Sequence, residues 1–140
     1  MGTNYSPTNV DLLNIGHACN LNCLQCYYRE PVALSKREMK KDLAAAERIV
    51  GKFKDSSVFV YPMEISTSMD IVPLISRVGQ KSVLSNGIML DEHKVAMFLE
   101  NGVTEMKITL FSNPQEHAFF NQVNEEDYQT ITRNIRMCVS

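Results

Sequence analysis

The chain has 140 residues, with 14 Lys and Arg against 16 Asp and Glu, so its net charge is −2 with neutral histidines. At 44% hydrophobic and 21% charged it is neither a disordered tail nor a low-complexity segment. Its charge balance leaves no basic footprint for nucleic acid, which requires clustered Lys and Arg to displace counterions. No apolar run approaches the roughly 20 residues of a membrane helix, and the opening residues lack a basic stretch followed by an apolar one. The expectation is one cytoplasmic domain, with neither nucleic acid nor membrane as partner.

Short apolar runs alternate with amphipathic stretches. The first candidate strand, Val10 to Ile15, leads directly into a polar loop that carries Cys19, Cys23, Gln25 and Cys26. Ser35 with Glu38 three residues on forms a capping box, after which Met39, Leu43, Ala46, Val50 and Phe53 recur at helical spacing. A second strand, Ser57 to Tyr61, runs into Pro62, Met63 and Glu64. After Thr67 and Ser68, Asp70 is placed to cap a helix that tolerates Pro73 in its first turn and stops at Gly79.

A third strand, Ser82 to Ser85, ends at Asn86 and Gly87. Asp91 caps the next helix, through Val95, Met97, Phe98 and Leu99, with Gly102 at its exit. The fourth strand spans Glu105 to Phe111, and Asn124 opens a last helix through Tyr128, Ile131, Ile135 and Met137. The order β-α-β-α-β-α-β-α implies parallel strands joined by right-handed crossovers, hence an α/β sheet or barrel. Ligands in such folds gather at the carboxyl ends of the strands. Four polar elements stand there: the cysteine loop, Glu64, Ser85-Asn86-Gly87, and the segment from Lys107 to Ser112.

Three of the four cysteines fall within eight residues, and Cys138 stands apart. Without an export signal the cluster reads as a metal or cofactor site rather than a disulfide framework. Structural zinc takes four protein ligands, so three cysteines would need His17 or Cys138 to complete the set. Alternatively, the spacing C-x3-C-x2-C wraps three corners of an iron–sulfur cube and leaves the fourth iron without a protein ligand.

That second pattern resembles the radical SAM superfamily, and the likeness runs from about Asn9 to Val139. It implies a partial parallel (β/α) barrel of which residues 1–140 supply about four of six β/α units, the N-terminal portion of a longer core domain. It further implies that Cys19, Cys23 and Cys26 ligate a [4Fe-4S] cluster and that Glu64 binds the ammonium of S-adenosylmethionine. Ser85, Asn86 and Thr109 would offer polar groups to its carboxylate and ribose, and the Gln25 backbone would meet the adenine edge.

Two departures from the family pattern stand out. Residues from Tyr61 to Met63 occupy the place of the family's paired glycines, and Gln25 replaces the residue, often aromatic, before the third cysteine, shifting aromatic packing to Tyr27 or Tyr28. The implied activity is reductive cleavage of S-adenosylmethionine to a 5′-deoxyadenosyl radical that abstracts hydrogen, with an electron donor such as a flavodoxin or ferredoxin. Asn113 to His117, with Tyr128, Asn134 and Ile135, is similar to the segment after strand four in members that carry extra clusters and modify peptides, so a peptide or protein substrate is expected.

Plainer readings stand beside these: a zinc-binding α/β domain without catalysis, or an inactive truncated remnant of the family. Glu64 would then be an ordinary strand-end carboxylate, Asn86-Gly87 a turn pair and Thr109 a strand former. His17 and His117 read as structural or surface polar groups, Cys138 as a buried helix residue, and the eight methionines as core filler.

Overall fold

The computed structural model describes residues 9–13, 15, 18–26, 36–52 and 57–139; the Ser35 cap, Phe53, His17, Tyr27 and Tyr28 lie outside them. β1 (Asn9–Leu13) and β2 (Ser57–Tyr61) pair in parallel, setting Val10 beside Val58 and Leu12 beside Val60. Their crossover contains α1 (Lys36–Lys52), whose Leu43, Ala46 and Val50 recur at helical spacing and pack on the core. β3 (Ser82–Ser85) and β4 (Glu105–Ile108) form a second parallel pair around α3 (Glu92–Glu100). The described chain is a mixed α/β structure, and none of its helices is long and apolar enough to cross a membrane.

Val58 and Val60 of β2, Val83 of β3 and Phe98 of α3 are buried together, each worth about 1.5–3 kcal/mol relative to exposure. Asp91 caps α3 as its spacing suggests, its Oδ1 accepting the Lys94 N–H at 2.8 Å. Asn124 caps α5 (Glu125–Val139) reciprocally: its Oδ1 accepts the Asp127 N–H at 2.9 Å while Asp127 Oδ2 accepts the Asn124 N–H at 3.1 Å.

Two expectations require correction. Asp70 caps no helix. The chain after β2 instead makes two 3-10 turns, Ile65–Thr67 and Met69–Ile71, before a short α2 (Val72–Arg77) that starts without a side-chain cap. The pull of burial on Ile65, Ile71, Val72, Leu74 and Ile75 tightens this segment, while Asp70 stays exposed. The fourth strand also stops at Ile108 rather than Phe111, and a further helix follows, α4 (Pro114–Asn121). Asn113 Oδ1 accepts the Glu116 N–H at 2.8 Å, Pro114 fits the first turn, and Gln122 closes the helix at φ 55°. This start signal was masked by the β-prone run that precedes it.

Among the described residues no ladder joins β2 to β3. The buried Gln80 side chain takes that place: its Oε1 accepts the Val60 N–H at 2.7 Å, and its Nε2 donates to the Val60 carbonyl at 3.2 Å and the Ser82 carbonyl at 2.7 Å. One amide thus satisfies both backbone groups of Val60, as a neighbouring strand would. Replacing Gln80 with Leu is expected to destabilise the fold by about 2–4 kcal/mol, because each stranded buried group costs about 1–3 kcal/mol. The check is a lower urea midpoint at unchanged slope.

Candidate functional site

The loop after β1 is held in place at four points, by Thr67, by Asn86 and by two residues of the last helical turn before Gln122. Thr67 Oγ1 donates to the Ala18 carbonyl at 2.9 Å, and Asn86 Nδ2 donates to Asn20 Oδ1 at 2.7 Å. The Leu24 N–H donates to the Phe120 carbonyl at 2.8 Å, and Gln25 Nε2 to Asn121 Oδ1 at 2.9 Å. Within the loop the Cys26 N–H returns to the Cys23 carbonyl at 3.1 Å, a turn that sets the second and third cysteines side by side.

All four cysteines are free thiols. Burial pushes the Cys19 thiol up; the Leu21 N–H, 3.5 Å from its Sγ, opposes this, and the nearby Glu64 and Cys26 add to it. Cys23 is pushed up to about 11 by burial and then by Cys19 and Cys26. The three thiols are therefore within electrostatic reach of one another, and a cation among them would favour their thiolates. Cys138 packs against the core on α5 instead, and burial raises it too.

Glu64 lies just past β2 and is 1% exposed. Its Oε1 accepts from the Ser66 N–H at 3.0 Å, Ser66 Oγ at 2.6 Å and Ser85 Oγ at 2.7 Å, and its Oε2 accepts from the Asn86 N–H at 2.7 Å. The carboxylate thus ties the end of β2 to the end of β3. Ser85 Oγ in turn accepts from the Gly87 N–H at 3.0 Å, and Asn86 Oδ1 from the Ile88 N–H at 3.1 Å. Gly87 is required here: its φ is 82°, and a Cβ would come within 3.1 Å of Ile131 Cγ2. Asn134 on α5 holds the turn from outside, donating to the Gly87 carbonyl at 2.8 Å.

These elements enclose a cavity of about 380 Å³. Cys19, Cys23, Cys26, Gln25, Glu64, Ser85, Asn86 and Thr109 all line it, so every site residue expected from the sequence meets the others in one place. Lys107, Leu84, Tyr61, Pro62, Met63 and Asn121 complete the described lining. The donor set suits a soft or borderline metal centre, with three free thiols on one pinned loop facing one cavity. Among the described residues no three His, Cys, Asp or Glu side chains are gathered closely enough to hold an ion as they stand.

Asn121 is the residue that sequence reasoning missed. Its Nδ2 lies 3.0 Å from His117 Nε2, and its Oδ1 takes Gln25, so one amide links the loop to the buried core of α4. His117 is 0% exposed and sits edge-on between Phe111 and Tyr128, and burial lowers its pKa despite the opposing charge of Asp127. It is buried among these rings and is not among the cavity's lining residues. The i,i+4 spacing of His117 and Asn121 was the available signal, but it is legible only once α4 is recognised. Asn121→Ala is expected to raise hydrogen exchange at Leu24 and Cys26 about fivefold, the loss of roughly 1 kcal/mol of local hydrogen bonding, without changing exchange at Val60.

A scan against models of protein families returned no match for the chain, and a search of the curated proteins returned none either.

Proposed function

We propose that residues 1–140 form the N-terminal portion of a radical SAM enzyme, a partial parallel (β/α) barrel contributing about four of six β/α units, with a peptide or protein substrate. The supporting observation is the convergence of Cys19, Cys23, Cys26, Gln25, Glu64, Ser85, Asn86 and Thr109 on a single cavity. These residues come from four strand ends separated along the chain, and only the cysteine spacing ties any of them together in the sequence.

Cys19, Cys23 and Cys26 would hold three irons of a [4Fe-4S] cluster, which when bound supplies the single electron for reductive cleavage of S-adenosylmethionine. Glu64 offers its Oε2, which receives one bond from its own chain and keeps acceptor capacity for an ammonium. In so buried a position such a charge-assisted bond is strong. Ser85 and Asn86 fix that carboxylate by donating to it, and Thr109 faces the same space for a ribose hydroxyl. The walls from Tyr61 to Met63 would help to keep water from the reacting groups.

Anaerobic reconstitution with iron and sulfide is expected to give a brown protein with about four irons per chain. After reduction by dithionite, or by a flavodoxin or ferredoxin, it should form 5′-deoxyadenosine from S-adenosylmethionine. A colourless protein holding one zinc would reject this reading in favour of a zinc domain. A loaded protein that binds S-adenosylmethionine and never cleaves it would reject activity for this chain and leave an inert remnant.

A further inference from the structure

Parallel strands are ordinarily covered on both faces, and the β3–β4 pair is covered on one. Val83 and Ser85 are buried there, and Met106 and Ile108 pack against the core. The opposite face presents Leu84, 50% exposed, and Lys107, and the register places these two directly side by side. Neighbouring strands lie about 4.8 Å apart, so an aliphatic surface and an ammonium stand within the span of one small molecule, and both border the cavity.

Several of the cavity's other polar side chains already have partners within the chain. Glu64 receives four bonds from its own chain, Ser85 both donates and accepts, Asn86 is tied to Asn20, and Gln25 to Asn121. Lys107 is the one basic side chain among the described lining residues. Its charged neighbour is Glu105, at 3.7 Å, with both side chains more than half exposed. An ammonium has three donors, so an exposed pair of this kind leaves it capacity for a second anion, and such pairs are individually weak.

We propose that Leu84 and Lys107 form a substrate subsite for an aliphatic part of a peptide that carries a carboxylate, the carboxylate meeting Lys107 and the hydrocarbon lying on Leu84. This deepens the reading of the cavity as a radical enzyme's site and rests on it for the word substrate, while the binding itself is a property of the chain without any cluster. Glu105 acts against the ligand by competing for the same ammonium.

The test is a titration of the metal-free full chain, labelled at leucine methyls, with 4-methylpentanoate and with its neutral amide. The carboxylate is expected to shift the Leu84 methyls and to bind about fivefold more tightly than the amide, equivalent to roughly 1 kcal/mol. Lys107→Gln should erase that preference and Lys107→Arg retain it, whereas Glu105→Gln should strengthen carboxylate binding. Equal binding of acid and amide, or shifts that bypass Leu84, would overturn the subsite.

A further arm uses the reconstituted protein. If Lys107→Gln weakens S-adenosylmethionine by as much as it weakens the probe, the lysine serves that molecule's own carboxylate and the substrate assignment fails. Failure to build any cluster is read from iron content alone, and would reject the radical reading while leaving the anion preference to be judged by the titration.

Discussion

Replacing Glu64 with Ala is expected to destabilise the metal-free protein by about 3–5 kcal/mol, since it strands two backbone N–H groups and leaves two serine hydroxyls to find new partners in buried surroundings. Glu64→Gln should cost about 2 kcal/mol, because its amide nitrogen turns a donor toward either the Asn86 N–H or the three donors at Oε1. Urea denaturation measures both. A loss below 1 kcal/mol for the alanine variant would show that the carboxylate does not join the two strand ends. In the loaded protein Glu64→Gln should also weaken S-adenosylmethionine, and unchanged affinity would remove Glu64 from the cofactor site.

The second large effect is at Cys23. Cys23→Ala should bring iron after reconstitution from about four per chain to near zero, with loss of the brown colour, because a cube gripped at three corners has no spare protein ligand. Cys19→Ala and Cys26→Ala should do the same. Cys138→Ala should leave iron content unchanged, since that thiol packs on the core and does not line the cavity. A Cys23→Ala protein with full iron would exclude the ligand set, and iron loss in Cys138→Ala would bring a fourth cysteine into it.

Much of this architecture was legible from local chemistry. Asp91 and Asn124 announce their helices because a cap is made by a residue and its next few neighbours. The second strand stands out because Val58 and Val60 alternate in a short apolar run. The cysteine loop was legible because three cysteines fall within eight residues of sequence.

What escaped was long-range or context-dependent. Asp70 has the form of a cap, yet burial of Ile65, Ile71 and Val72 decides the geometry around it. Phe111 has the form of a strand residue, yet it leaves the sheet to stack on Phe120 at 5.0 Å and roof the buried His117. Asn121 reaches Gln25 across 96 residues, and Gln80 reaches Val60 across 20. No periodicity encodes such pairs, because a polar side chain carries no mark of its distant partner.

The seam between the two strand pairs has a consequence for inheritance. A backbone ladder survives most substitutions, since every residue except proline brings the same donor and acceptor to it. Here one glutamine and one glutamate supply the hydrogen bonds that such a ladder would, beside the apolar core that both strand pairs share. Substitutions that spare the strands can therefore still weaken this seam, through Gln80 or Glu64 alone.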